Sequence, residues 1–407
     1  MNLLSLGAKS ILNRKSTVVL TVITIAISVA LILGVERVRK NAWTSFSNTV
    51  SGADLIVGAR SGAVQLLLYS VFRIGNATNN ISWKSYQDIA NREEVAWALP
   101  ISLGDSHRGY RVMGTSQEYF ELFQYGRQRK LGFSGGTEFS DLFDVVLGAE
   151  VAESLNYNLG DQIVIAHGAG TTSFVTHDDK PFTVSGILER TGTPVDRTLH
   201  VSLEAIEAIH IDWKDGAKIP GTEVSSEMVR KLPLQPKSIT AAMVGLKSRV
   251  AVFGLQRWIN NYKKEPLLAV LPGVALQELW SLVRVAEKAL WIVSFFVLAA
   301  ALVGMIAVSL AGLNERRREI AILRTLGAGF RQITALLVVE SVLLTLSGLV
   351  IGTCLMYGVL VFAQPIIEVR FGLFLPVDFP SSVEWTILAS ILAAGFLTGL
   401  VPAIKAY

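Results

Sequence analysis

The chain has 407 residues, of which 51% are hydrophobic and 17% are charged, with a net charge of +4 and a mean hydropathy of +0.45. This balance excludes an ordinary soluble protein and also a chain that lies wholly within a membrane. The single cysteine, Cys354, excludes disulfides within the chain and cysteine-based zinc sites. The composition therefore predicts an integral membrane protein with one large water-exposed domain.

The first predicted elements lie at the membrane surface and within the membrane. Residues 1–15 combine leucine and isoleucine with lysine and arginine, which predicts a short interfacial helix on the cytoplasmic side. Residues 16–36 contain an uncharged run that is long enough to cross a bilayer as the first transmembrane helix. A cleaved signal peptide is the alternative, but charged residues rather than a small-residue cleavage site follow the run. We therefore expect an uncleaved membrane anchor.

Residues 37–285 are expected to form a large α+β domain outside the membrane, carried on a helical stalk. The stretches 36–50 and 275–289 keep a helical pattern and would extend the neighbouring membrane helices outward. Strand-like patterns occur at 54–57, 111–113, 145–147, 162–166, 182–188, 199–201 and 241–245. Helical patterns occur at 82–91, 117–123, 149–155, 203–210 and 248–261.

A strongly basic segment lies between the second and third membrane helices. The second helix is predicted at 286–313 and the basic segment at 314–332, which holds five arginines and two glutamates. Arginine density of this kind marks the cytoplasmic side of a membrane. Apolar residues recur there at helical spacing, whereas Arg317, Arg324 and Arg331 lie seven residues apart on another face. We expect an amphipathic cytoplasmic helix with one face toward a partner protein.

The last part of the chain is predicted to contain two more membrane helices, at 333–363 and 383–404, joined by an external loop at 364–382. The third helix is too long for one perpendicular span, so it should tilt or project. Glu340 lies inside it and is expected to pair structurally or to face a helix interface. Gly395 and Gly399 have the spacing that lets membrane helices approach closely. The prediction is a four-span protein of the bacterial inner membrane with both termini cytoplasmic.

The sequence shows no catalytic motif. There is no phosphate-binding loop and no zinc-protease or serine-hydrolase motif. His167, His177, Asp178 and Asp179 are close in sequence and could bind a metal, but the glycines and threonines between them favour a solvated hairpin tip. The polar stretch 190–197 could dock a partner, although a structural turn is favoured. We expect no metal site, no catalytic residue and no nucleic-acid partner.

Residues 315–328, with the sequence ERRREIAILRTLGA, resemble the signature between the second and third membrane helices of one group of ABC transporter permeases, the MacB/FtsX/LolC or type VII group. Glu340 and Ser341 stand where that family often has a Glu-Ala pair, and residues 399–403 resemble its closing G-x-x-P-A motif. Residues 51–55 also fit the sequence pattern of this family. The resemblance implies an integral membrane protein with four transmembrane α-helices and a MacB-like periplasmic α+β domain between helices 1 and 2.

The resemblance also implies a mechanism, in which the basic segment contacts an ATPase. The implied ATPase-coupling residues are Glu315, Arg316, Arg317, Arg318, Glu319, Ile320, Leu323, Arg324, Leu326 and Gly327. ATP and Mg²⁺ would be bound by a separate cytoplasmic ATPase subunit, so no cofactor is expected in this chain. Two permeases, identical or paralogous, would pair in the lipid bilayer.

The resemblance further implies a substrate that is already outside the inner membrane. The permease would export or extract that substrate, with a periplasmic adaptor or a lipoprotein as a further partner. The alternative is a membrane receptor or FtsX-like regulator that controls a periplasmic partner without transport.

Overall fold

The computed structural model describes residues 15–49, 52–126, 128–168, 178–214, 217–218, 224–325, 329–371 and 377–405. The chain divides into two compact units. The helical unit comprises residues 1–42, 283–371 and 375–407, and the α/β domain comprises residues 43–282 and 372–374.

The described helices are numbered in chain order. They are α1 (Lys15–Thr49), α2 (Ala63–Ser70), α3 (Trp83–Ala90), α4 (Tyr119–Leu122), α5 (Ala149–Leu155), α6 (Leu203–His210), α7 (Ser226–Val229), α8 (Val252–Asn260), α9 (Pro272–Thr325), α10 (Phe330–Phe371) and α11 (Ser382–Lys405). Two short 3₁₀ helices lie at Pro194–Arg197 and Arg249–Ala251.

The described strands are β1 (Leu55–Ala59), β2 (Ile81–Ser82), β3 (Val95–His107), β4 (Tyr110–Thr115), β5 (Gln124–Tyr125), β6 (Arg129–Lys130), β7 (Phe133–Gly136), β8 (Asp144–Leu147), β9 (Gln162–Ile163), β10 (Ala166–His167), β11 (Phe182–Leu188), β12 (Thr198–Ser202), β13 (Trp213–Lys214), β14 (Ala217–Lys218), β15 (Ser238–Ile239), β16 (Ala241–Leu246) and β17 (Leu267–Val270).

One mixed sheet organises the α/β domain. Its strand order is β17-β1-β16-β3-β4-β12-β8-β11-β7, with β10 added to β3 and β9 to β11. Strand β3 joins the two halves, because residues 95–101 pair with β16 and residues 102–107 pair with β4. The pairs β4–β12 and β8–β11 are parallel, and the other pairs in this sheet are antiparallel.

Short helices cover the sheet, and local sequence signals fix where they begin. Helices α3 and α6 start after Ser82 and Ser202, whose hydroxyls accept hydrogen bonds from backbone N–H groups of the first turn. Helix α5 ends at Asn156, which adopts the left-handed conformation that asparagine tolerates. The apolar faces of α5 and α6 pack on buried strand residues such as Val145 and Val201, and α3 packs in a second hydrophobic cluster of the same domain.

Four helices among the described residues are long and apolar enough to cross a membrane. The candidate spans are Val18–Asn41, Pro272–Ala311, Phe330–Gln364 and Ser382–Ile404. Helices α1 and α10 approach closely at Gly348 and Gly352, where an added Cβ would lie 2.5 Å from a methyl carbon of Ile25 and 2.6 Å from the carbonyl oxygen of Ala26, respectively. This small-residue contact is typical of membrane helix pairs.

The observed elements confirm the predicted fold class of four membrane-length helices and an α+β domain. Strand β11 and helices α5 and α6 have the predicted bounds.

The external loop predicted at 364–382 is wrong in its first part, because α10 continues to Phe371. A proline inside a helix lacks one backbone N–H and typically kinks or ends the helix, yet α10 continues past Pro365. Except for Lys15, the predicted interfacial helix at 1–15 lies outside the described residues.

Candidate functional site

The basic segment at 314–332 begins in the C-terminal end of α9 and ends in the first turn of α10. Helix α9 has 54 residues and continues to Thr325. Arg324 and Ile322 are exposed on its last turn, and Phe330 and Arg331 are exposed at the start of α10. The backbone is helical, but the side chains are not described, at Glu315, Arg316, Arg317, Arg318, Glu319, Ile320 and Leu323. Leu326 and Gly327 lie outside the described residues.

The predicted interface glycines lie between α10 and α11. A Cβ on Gly395 would be 2.2 Å from the hydroxyl oxygen of Thr345, and a Cβ on Gly399 would be 2.9 Å from the side chain of Ser341. Real Cβ contacts are longer, so only glycine allows this approach of the two helices. Glu340 precedes Ser341 on α10 and is half-buried.

A buried ion pair connects α1 to α11 within the helical unit. The guanidinium of Arg37 donates to both carboxylate oxygens of Glu384, at 3.0 and 3.2 Å, and the two side chains are only 6% and 4% exposed. Arg37 also donates to the carbonyl oxygen of Asp378 at 2.8 Å and to the hydroxyl of Tyr357 at 3.1 Å. This bidentate geometry fixes the position of Arg37 against α10 and α11.

This ion pair is absent from the sequence-based predictions, although two signals in the sequence indicate it. Charges at the ends of apolar spans tend to pair with one another, and Arg37 and Glu384 occupy such ends. Residues 381–384 also have the S-x-x-E pattern of a helix start. The carboxylate of Glu384 accepts from the N–H of Ser381 at 2.5 Å, so the cap holds the carboxylate in place for Arg37.

The polar stretch at 190–197 in the α/β domain forms a turn around one carboxylate. Asp196 accepts hydrogen bonds from the N–H and hydroxyl of Thr191, both at 2.8 Å, and from the N–H of Gly192 at 2.7 Å. Burial raises the pKa of Asp196 despite these bonds, which lower it. These contacts favour the structural interpretation over a docking loop, because they keep the carboxylate inside the turn.

The described histidines of the α/β domain lie in different surroundings. His200 is fully buried in the sheet, and burial lowers its pKa to about 3. His167 does not meet Asp178 or Asp179 in the described structure, where Asp179 contacts Lys180 at 3.4 Å. It lies instead beside Asp105 and His210, which are distant in sequence. His177 lies outside the described residues.

Two family models match the sequence. Residues 291–407 match the model described as FtsX-like permease C-terminal, and residues 18–251 match the model described as MacB-like periplasmic core domain. The second match alone covers more than half of the chain. The helical unit and the α/β domain are thus each related to a known module.

A curated relative and two solved structures are similar to this chain. The lipoprotein-releasing system transmembrane protein LolC of Neisseria meningitidis is 22% identical over 356 residues, which covers 79% of this chain and 80% of LolC. The periplasmic region of MacB from Actinobacillus actinomycetemcomitans covers 57% of this chain and 97% of its own, at 13% identity and a TM-score of 0.35. The extracellular domain of the noncanonic ABC-type transporter YknZ from Gram-positive bacteria covers 47% and 89%, at 13% identity and a TM-score of 0.29. From its two matched modules, the chain belongs to the MacB/FtsX/LolC family of ABC transporter permeases.

Proposed function

We propose that this chain is the membrane subunit through which a separate cytoplasmic ATPase moves the α/β domain, and that this movement extracts or exports a substrate outside the inner membrane. The observation that carries the proposal is the arginine-rich family segment at the end of α9. The name of the LolC relative supports a lipoprotein as the substrate class.

Helix α9 supports a mechanical connection between the ATPase and the α/β domain. It begins at Pro272, directly after strand β17 of the α/β domain, and ends at Thr325 in the basic segment. At ~1.5 Å per residue, 54 helical residues span roughly 80 Å. An amphipathic helix end with arginines suits an apolar groove with an acidic rim on the ATPase. ATP-driven movement of that groove would then displace α9 along its whole length.

The basic segment also sets the proposed orientation. Its arginine excess supports a cytoplasmic position for residues 314–332, because short basic loops tend to stay on the cytoplasmic side. With four spans, both termini are then cytoplasmic and the α/β domain is periplasmic. A second permease copy, identical or paralogous, would complete the complex, since each ATPase of a pair needs its own coupling segment.

Co-purification tests the coupling role directly. The chain is extracted from its native membrane in mild detergent, and the proteins that accompany it are identified and quantified. We expect a stoichiometric P-loop ATPase with the wild type and its loss with the double variant Arg317→Glu, Arg324→Glu, because the docking face then has inverted charge. Arg284→Glu is the matched control, since Arg284 is exposed on the same helix but lies outside the basic segment.

Two outcomes contradict the proposal. Retention of the ATPase by a folded double variant would refute coupling through this face. Absence of any ATPase from intact, monodisperse wild type would favour the receptor or regulator alternative.

Impermeant thiol labelling tests the orientation. Cys354 is replaced by serine, and Asn79, which is exposed in the α/β domain, is replaced by cysteine. Labelling of this variant from the periplasmic side of the intact inner membrane is expected. Labelling only after the membrane is broken would reverse the proposed topology.

A further inference from the structure

Three side chains from separate elements of the α/β domain converge on one point. Asp105 lies on β3, His167 lies directly opposite it on the neighbouring strand β10, and His210 is the last residue of α6. Strand β3 has a register shift against β4 between Leu103 and Ser106, next to Asp105. Such bulges re-aim a side chain and are common beside functional sites. The cluster is therefore held by regular elements rather than by a loop tip.

The distances within the cluster are close to those between ligand atoms around a bound metal ion. Nδ1 of His167 is 3.0 Å from Nε2 of His210 and 3.1 Å from Oδ1 of Asp105, and Nε2 of His210 is 3.4 Å from the same oxygen. Zinc binds nitrogen and oxygen at ~2.0–2.2 Å in tetrahedral geometry, which separates neighbouring ligand atoms by roughly 3.4 Å. One ion could reach all three atoms without moving any strand or helix.

A hydrogen bond to the backbone fixes the position of one proton on His210. Nδ1 of His210 is 2.8 Å from the carbonyl oxygen of Ile206, which can only accept, so this nitrogen carries a proton. In a neutral His210 the other nitrogen, Nε2, then presents a lone pair to His167 and Asp105. A histidine ring fixed by a carbonyl in this way is the usual arrangement of a metal ligand.

The surroundings of the cluster partly exclude water. Asp105 is 3% exposed. The ring of Trp213 lies 5.4 Å from His167 and 6.0 Å from His210 between ring centres, and shields one side of the cluster.

We propose that Asp105, His167 and His210 form a binding site for a divalent transition-metal ion of the Zn²⁺ class, with a fourth coordination position open to water or to another ligand. Two imidazoles and one carboxylate are a common zinc ligand set when one position stays open. The same donor types disfavour Mg²⁺ and Ca²⁺, which prefer oxygen ligands alone. The site is independent of the ATPase-coupling role, since it lies wholly within the α/β domain.

Metal content and spectroscopy of the full chain test the site. The protein is purified in detergent through a tag that contains no histidine, stripped with a chelator and dialysed against Zn²⁺ or Co²⁺. We expect one ion per chain and, for Co²⁺, the visible absorption of a four- or five-coordinate ion that Zn²⁺ displaces. The variants His167→Ala and His210→Ala should each weaken binding by at least about tenfold.

A control variant and a spectroscopic measurement keep the test decisive. His107→Gln removes another imidazole of the same strand, whose nitrogens instead contact Val164 and Tyr157, and should retain the ion. Wild-type protein that binds no Zn²⁺ at micromolar concentration would overturn the proposal and leave a proton shared within the cluster. Equal binding by folded His167→Ala and His210→Ala would overturn it too. If either variant fails to fold, the Co²⁺ spectrum of the wild type decides.

Discussion

Replacing Glu384 with glutamine should destabilise the helical unit by about 3 kcal/mol, because it leaves the guanidinium of Arg37 buried without its counter-ion. Removal of one partner from a buried pair typically costs ~3–5 kcal/mol. We expect the lower end of this range, since Arg37 keeps the carbonyl oxygen of Asp378 and the hydroxyl of Tyr357 as acceptors. Glutamine also keeps an oxygen for the N–H of Ser381.

A double-mutant cycle separates the ion pair from its surroundings. Arg37→Met alone leaves the carboxylate of Glu384 uncompensated and should cost a similar free energy of unfolding. The double variant leaves neither charge buried, so its loss should be smaller than the sum of the single losses by at least ~2 kcal/mol.

The assay is unfolding of the purified chain by sodium dodecyl sulfate in mixed micelles, followed by circular dichroism. The four proteins of the cycle are compared at one detergent concentration, because micelle composition changes the reference state. Losses that add to within ~0.5 kcal/mol would refute the reasoning, since additivity means that the two side chains do not stabilise each other.

Three further predictions concern packing, pH and a buried cation. Gly395→Ala should cost ~1–3 kcal/mol in the same unfolding assay, because its Cβ would overlap Thr345. Gly358→Ala should be neutral or stabilising, because among the described residues no atom outside its own helix segment lies within 4 Å of the added Cβ. Equal effects of the two substitutions would contradict the helix contact. His200 is neutral in the folded domain with a pKa of about 3 and near 6.5 when unfolded, so unfolding takes up a proton between these pH values. The free energy of unfolding should therefore fall by about 2 kcal/mol from pH 7 to pH 5, and it should fall by less in His200→Gln. If thermal unfolding of the two proteins gave the same pH profile, protonation of His200 would be excluded as the cause. Burial lowers the pKa of Arg73, although Tyr119 favours its charge and Nη2 donates to the sulfur of Met113 at 2.7 Å. Within the described residues, its Nε and Nη1 are buried and lack a hydrogen-bond partner in good geometry. Arg73→Met should therefore raise the midpoint of thermal unfolding, and a lower midpoint would indicate that this charge is compensated.

The sequence predicts those elements of the α/β domain whose apolar pattern has a clear period and clear ends. Helices α5 and α6 are amphipathic over two turns, and β11 alternates between buried and partly exposed residues. Strand β3 was not predicted, because Pro100 and Gly104 interrupt its pattern although it is the longest described strand of the sheet. Helix α2 was not predicted either, since its run of three leucines fits a buried strand equally well.

Prediction from the sequence is limited in a similar way for the candidate sites. The basic segment at 314–332 is recognisable in the sequence because its residues are contiguous. The cluster of Asp105, His167 and His210 depends on the register of β10 against β3 and on where α6 ends. Sequence spacing does not encode such a register, so proximity along the chain suggested Asp178 and Asp179 as partners of His167 instead.

Because α9 is one unbroken helix, the number of its residues sets the direction in which its arginine-rich face points. Each residue of an α-helix advances the chain by ~100° and ~1.5 Å, so inserting one residue between Leu282 and Arg324 would turn the arginine face by more than a quarter of a circle. An insertion of seven residues is close to two full turns and returns that face to within ~20° of its starting direction. If α9 couples the two units as proposed, its length is adjustable in steps of whole helical turns, and a change of one or two residues would aim the arginines away from their partner.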